Sequence, residues 1–268
     1  MWDNHHSSDK ISEFLGSDKE LDPKTYFTML KQQPDSYSKL KIPQESSPHM
    51  LDIGCGVGEG THELAKLTRG KGTITGFDLN KGNLDIAKKR AKELGLSITY
   101  DQGSADKLSY PDNQFSLVCT KRTLQHVPNP KAVLAEMARV TQSKGTLFII
   151  EPDRASMILN AENRALTRTI LHYIEDVVRH PWIGRKLLEH LRSLPVQTIR
   201  IQVIPISLTS FNEANQNFGL ELAVSHLIKR SVISKTEGIN WIKNLKKKDQ
   251  NGHFFCSFSL YCAIAVKK

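Results

Sequence analysis

The sequence predicts an α/β fold, a parallel sheet with helices covering both faces. Three observations predict it. Short apolar strands alternate with helical stretches from His49 to Glu151. The first strand runs into a glycine-rich turn, and the turn into a helix. The 268 residues are 39% hydrophobic and 24% charged, enough apolar material for a real core and against a largely disordered chain. At roughly 100–200 residues per domain, this length gives one large domain, or one domain with a cap.

Residues 1–47 are polar and turn-rich, with Pro23, Pro34 and Pro43, and read as a helical or irregular cap with one short helix over about 24–33. The main domain is expected over 48–268. Met50 to Ile53 is a short strand, and Gly60 to Thr68 a helix. Gly72 to Asp78 is the second strand, and Asn83 to Leu94 a helix stopped by Gly95. Ser97 to Tyr100 and Phe115 to Cys119 are the third and fourth strands. Pro130 to Thr141 is a helix with apolar positions 133, 134, 137, 138 and 140 at helical spacing. Gly145 to Ile150 is the fifth strand. Beyond Glu151 the alternation breaks. Helices are expected over 161–178, 184–194, 211–229 and 235–248, a strand over 196–205 and a long strand over 254–266. The helical insertions therefore fall at about 155–194 and 211–250.

Composition excludes several classes. Cys55, Cys119, Cys256 and Cys262 have no CxxC or Cys/His spacing, which argues against a disulfide scaffold or zinc site and fits a reducing compartment. Cys256 and Cys262 are six apart on one strand and read as core or near-core residues. His172, His180 and His190 pair with no other ligand type at a metal spacing, so no metal is assigned. No segment reaches the ~18 apolar residues of a membrane span, and the start lacks a signal-peptide layout, so the expectation is a cytoplasmic protein. The net charge is +9, and residues 229–268 hold nine basic and two acidic residues, +7 of that total. The patch lacks the interleaved aromatics that stack on bases. A solvated helix face is therefore favoured over a nucleic-acid or anionic-membrane patch.

The most informative stretch is Asp52-Ile53-Gly54-Cys55-Gly56-Val57-Gly58-Glu59-Gly60. Its glycines allow positive φ and close approach of a ligand to the backbone. The spacing is G-x-G-x-G. A dinucleotide loop wants G-x-G-x-x-G, but Glu59 holds the sixth position, and no Lys-Ser/Thr follows, so this is no phosphate-binding P-loop either. Asp78, at the end of the second strand, is a bidentate acceptor suited to two ribose hydroxyls, a feature shared with nicotinamide enzymes.

This pattern resembles the class I S-adenosylmethionine-dependent methyltransferases. The similarity is greatest to the branch holding the ubiquinone/menaquinone C-methyltransferases and many small-molecule methyltransferases. It is carried by the glycine loop, by Asp78, by Gly103-Ser104-Ala105-Asp106, by Leu124-Gln125-His126-Val127-Pro128 and by Gly145 to Asp153. It covers about 48–154 well. Shorter matches follow at Arg179 to Arg185 and Gly252 to Phe255. The resemblance implies a Rossmann-like seven-stranded, mostly parallel sheet with the last strand antiparallel. It implies cofactor contacts from Asp52, Gly54, Cys55, Gly56 and Gly58 in the loop and from Asp78 and Leu79. Further contacts come from Ser104, Ala105 or Asp106 on the adenine side and from Thr120 and Lys121 after the fourth strand. Asp52 either orients the loop or meets the methionine amine, and Cys55 is expected to act through its backbone.

Catalytic candidates follow the fourth and fifth strands. His126 is the only obvious base there; the alternative is a loop histidine packed under Pro128. Arg122 positions an anionic group or forms a surface ion pair. Glu151 binds a substrate cation, acts as a base or serves structure, and Asp153 reads as an N-cap of the next helix. Methyl transfer is an in-line displacement in which orientation and desolvation dominate, so the acceptor side is poorly marked in sequence. After the fourth strand the chain has Cys119-Thr120-Lys121-Arg122-Thr123, neither an Asn/Asp-Pro-Pro-aromatic motif nor a Pro-Cys pair, which disfavours nucleic-acid base methylation. The expected function is methyl transfer from S-adenosylmethionine to a small-molecule acceptor, leaving S-adenosylhomocysteine. The alternatives are an RNA or protein methyltransferase using residues 229–268, and a non-catalytic cofactor-binding module.

Overall fold

The computed structural model describes residues 47–68 and 71–268. The expected cap, with its short helix, lies outside the described residues. The elements run β1 (His49–Ile53), α1 (Glu59–Leu67), β2 (Thr73–Asp78), α2 (Lys81–Glu93), β3 (Thr99–Gln102), β4 (Phe115–Lys121), α3 (Pro130–Val140) and β5 (Thr141–Leu159). There follow α4 (Arg164–Asp176), α5 (Ile183–Arg192), β6 (Val196–Leu208), α6 (Phe211–Phe218), α7 (Leu220–Lys229), α8 (Lys235–Gln250) and β7 (Cys256–Lys267).

The seven strands form one sheet in the order β3-β2-β1-β4-β5-β7-β6. β1 pairs in parallel with β2 and β4, β2 with β3, and β4 with β5. β7 runs against β5: Ser143 bonds Lys268, Ser156 meets Ser259, and Asn160 meets Phe255, so one number falls as the other rises. Register positions the site. Ile53 lies opposite both Phe77 and Thr120, and Lys121 opposite Ile150. The chain therefore leaves β1, β2 and β4 at neighbouring points of the sheet, the carboxyl edge where parallel sheets bind ligands, while β5 runs on past Ile150 to Leu159.

The chain divides into two compact units. The sheet unit holds the described residues up to Pro152, Trp182–Ile204 and Leu260–Lys268. Its core is Leu51, Ile53, Val118, Leu147 and Ile149 from the strands, with Val133, Leu134 and Met137 of α3 and Leu187 and Leu191 of α5. The central strands are apolar on both faces because helices cover both, so β1 reads as a run and not an alternation. Asn80 and Asn129 start α2 and α3, each accepting an N–H of the first turn.

The second unit holds Asp153–Pro181 and Pro205–Ser259. Trp241 of α8 is buried and donates to Thr167 Oγ1 of α4 at 2.9 Å. Phe218 and Phe258 pack edge to face at 5.0 Å. Ser234 and Glu237 form a capping box at the start of α8. Among the described residues no helix is long and apolar enough to cross a membrane.

Three sequence expectations need correction. Residues 155–159 are strand and not the start of a helical insertion, because Ser156 Oγ accepts the Ser259 N–H at 2.8 Å and continues the pairing with β7. Asp153 is not a helix cap. It is fully buried within β5, and Asn163 caps α4 by accepting from Leu166 N–H. The helix expected over 211–229 breaks at Gly219, whose left-handed φ of 62° ends α6 and starts α7.

Candidate active site

The glycine loop is built on a close approach. Gly54 has φ +72°, and a β-carbon there would sit 2.1 Å from Thr123 Oγ1. Only glycine satisfies both the conformation and the contact. The Gly54 and Cys55 N–H groups both donate to Phe77 O, at 2.7 and 3.1 Å, which ties the loop to the end of β2. The Cys55 thiol is buried, and burial pushes its pKa above the usual range, while its backbone N–H is held by Phe77 O.

Asp78 is fixed by two backbone donors. Gly56 N–H donates to Oδ2 at 2.8 Å and Asn80 N–H to Oδ1 at 2.8 Å. Each oxygen keeps a lone pair for another donor. Leu79 follows, 67% exposed, an apolar side chain held out beside a carboxylate. Asp78 O accepts the Gly103 N–H at 3.1 Å, which brings the Ser104-Ala105-Asp106 loop to the same edge. Ser104 Oγ donates to Asp106 Oδ1 at 2.5 Å, and both residues are exposed. A β-carbon on Gly56 would meet nothing within 4 Å, so the loop faces open space there.

Asp52 lies beneath the loop. It is 5% exposed, its Oδ2 accepts from Thr61 Oγ1 at 2.6 Å, and the Cys119 thiol faces its Oδ1. Burial raises its pKa to about 6, against the pull of Thr61 and the Lys121 charge. Thr120 Oγ1 donates to Ile53 O at 2.8 Å, locking β4 to β1 at the loop.

After β4 the chain makes a tight turn. Arg122 has φ +57°, and its N–H donates to Ile150 O at 2.8 Å. His126 N–H donates to Thr123 O at 2.9 Å, and the His126 side chain is half-buried. Glu151 is fully buried, and its Oε1 accepts the N–H groups of Thr123 and Leu124 at 2.8 and 2.7 Å. Burial raises its pKa to about 7. All fifteen residues expected at the site fall in the sheet unit.

Other supports were not legible in the sequence. His62 Nε2 and Tyr100 OH are 2.8 Å apart behind Gly58. Arg139 of α3 binds Glu136, Asp112 and the carbonyls of Leu108 and Tyr110, each at 2.7–3.1 Å, and so clamps the segment after the 103–106 loop. The basic region is partly committed to internal contacts: Lys246 pairs with Glu221 at 2.6 Å, and Lys267 Nζ donates to Asn113 Oδ1, Arg139 O and Thr141 O.

A family model described as a methyltransferase domain matches residues 44–192. An uncharacterized 37.1 kDa protein in transposon TN4556 of Streptomyces fradiae is 28% identical over 218 residues, 80% of this chain and 61% of that protein. The ubiquinone/menaquinone biosynthesis C-methyltransferase UbiE of Bdellovibrio bacteriovorus is 36% identical over 107 residues, 40% of this chain and 45% of its own length. The chain thus spans about half to three-fifths of the length of these two relatives. The crystal structure of the YcgJ protein from Bacillus subtilis shares the fold, with a TM-score of 0.59 at 14% identity over 91% of this chain and 99% of that one. With the glycine loop, its paired acid and this strand order in place, the chain belongs to the methyltransferase-domain family, whose methyl donor is S-adenosylmethionine.

Proposed function

We propose that the protein transfers a methyl group from S-adenosylmethionine to a small-molecule acceptor by in-line displacement. The observation that carries this reading is the Gly56–Asp78 pair, preset at the sheet edge beside exposed Leu79. Bound there, S-adenosylmethionine supplies an electrophilic methyl group on a sulfonium.

The residues fit that group. Asp78 accepts the ribose hydroxyls with the lone pairs that Gly56 and Asn80 leave over. Leu79 covers one face of the adenine, and the Ser104-Ala105-Asp106 loop meets its edge. Gly54, Cys55, Gly56 and Gly58 admit the methionine portion against bare backbone. Asp52 sets the loop through Thr61 and faces the methionine ammonium directly or through water. Thr120 and Lys121 form the floor at the end of β4.

On the acceptor side, His126 takes the proton released when an O–H, N–H or electron-rich C–H acceptor is methylated. Arg122 holds an anionic group. An aromatic or lipid-like acceptor is favoured by the relatives named as quinone methyltransferases.

Calorimetric titration with S-adenosylhomocysteine tests the reading, alongside Asp78→Ala. Micromolar or tighter binding is expected for the wild type, with a loss of about a hundredfold in the variant. A wild type that binds nothing would refute it.

A further inference from the structure

We propose that Glu151 is a positioning residue: its carboxylate pins the turn after β4 and, through Thr123, sets the first glycine of the cofactor loop. The proposal rests on the cofactor reading above and assigns Glu151 a role other than general base.

The geometry runs in one chain of contacts within the sheet unit. Lys121 lies opposite Ile150 in the β4–β5 ladder, so Glu151 stands beside the chain as it leaves β4. Its Oε1 accepts two successive backbone N–H groups, from Thr123 and Leu124. Without Glu151 the buried Leu124 N–H and the part-buried Thr123 N–H would both lose this acceptor.

The same turn holds Arg122 at φ +57°, a conformation that a residue with a β-carbon avoids. Such strain persists only where the surroundings over-determine it. Three contacts do so: Glu151 on the next two amides, Ile150 O on the Arg122 N–H, and Gln125 Nε2 on Arg122 O at 3.0 Å. Strained backbone of this kind concentrates at functional sites.

Thr123 carries the effect to the cofactor loop. It packs so closely on Gly54 that no β-carbon fits between them, and its Oγ1 lies 3.4 Å from both Ile53 O and Gly54 O. A shift of the turn is therefore a shift of the loop. A base must touch the reacting group, whereas Glu151 is fully buried with Oε1 already occupied. The task needs an acceptor atom and no negative charge, since Oε1 keeps its lone pairs when Oε2 carries a proton. An amide oxygen at the same place performs it equally.

The test uses the full chain as wild type, Glu151→Gln, Glu151→Ala and Thr123→Ala, each titrated with S-adenosylhomocysteine. Amide hydrogen exchange is followed at residues 54–58 and 122–125 with no ligand present. Glu151→Ala and Thr123→Ala are expected to weaken binding about tenfold and to speed exchange in the glycine loop. Glu151→Gln is expected to restore both to within about twofold of wild type. Folded Glu151→Ala with wild-type affinity and exchange would overturn the proposal. So would Glu151→Gln as damaging as Glu151→Ala, which would mark a charge-dependent role. Should Glu151→Ala fail to fold, Thr123→Ala with unchanged affinity and exchange overturns it instead. A wild type that does not bind refutes the cofactor reading, while exchange at Thr123 and Leu124 still decides the turn.

Discussion

At the residue scale, the burial of Asp52 makes a pH dependence of the proposed cofactor site testable. Burial lifts its pKa to about 6, although Thr61 and Lys121 favour the charged form. Above about pH 6 it is an anion beneath the loop; below, it is neutral and offers no counter-charge to an ammonium. Affinity for S-adenosylhomocysteine should therefore fall about tenfold between pH 7 and pH 5. Asp52→Asn should bind more weakly at pH 7 and lose that dependence. Calorimetry at both pH values checks this, and a wild-type affinity flat across the range would rule it out. Asp78 differs from Asp52 in being half-exposed and held by two backbone donors, the setting of a carboxylate that stays available to a ligand.

At the scale of elements, the loop and the clamp make separate predictions. Gly54 and Gly56 both have left-handed φ, yet a β-carbon at Gly54 would overlap Thr123 while one at Gly56 would meet open space. Gly56→Ala should cost about 1–2 kcal/mol of backbone strain. Gly54→Ala should cost about 3 kcal/mol or more, since strain and overpacking add. Urea unfolding of the two variants decides, and equal costs would mean that Thr123 yields easily. Arg139 gathers Glu136, Asp112 and two carbonyls into one node, with Glu136 held below its ordinary pKa by that guanidinium. Arg139→Lys cannot reproduce the fork and should destabilise by about 1–3 kcal/mol. It should also raise amide exchange at Leu108, whose N–H donates to Glu136. An Arg139→Lys protein as stable as wild type would show the node to be decorative.

At the scale of the whole molecule, the two buried carboxylates shape stability against pH. Asp52 is raised from 3.8 to about 6 and Glu151 from 4.5 to about 7. For an acid raised on folding, the native state keeps a proton that the unfolded chain has already lost. Stability contributed by these groups is therefore full below about pH 4 and declines as pH rises towards 7. Each ionisation costs about 3 kcal/mol by pH 8. Relative to wild type, Asp52→Asn and Glu151→Gln should gain stability as pH rises from 4.5 to 8, read by urea unfolding at each pH. A gap that does not change with pH would show that the two carboxyls are not raised.

The sequence by itself determined the strand–turn–helix rhythm, the G-x-G-x-G loop, its acid at Asp78 and the order of the family's segments. These are local signals: periodicity, turn chemistry and spacing within one βα unit. Glu151 could be found as a carboxylate just after the fifth strand expected over 145–150, but not as a buried residue within β5 that accepts from Thr123 and Leu124. That contact joins residues 27 and 28 apart and exists only through the register of β4 with β5. The cap assigned to Asp153 failed for the same reason. A good N-cap residue was overruled by strand pairing and complete burial, which no local preference records. The reversal of β7 was implied by the family resemblance and by no spacing in the sequence, whereas the break at Gly219 and the Arg139 node came from tertiary structure, because each is fixed by partners distant in sequence or by a backbone turn that composition leaves open.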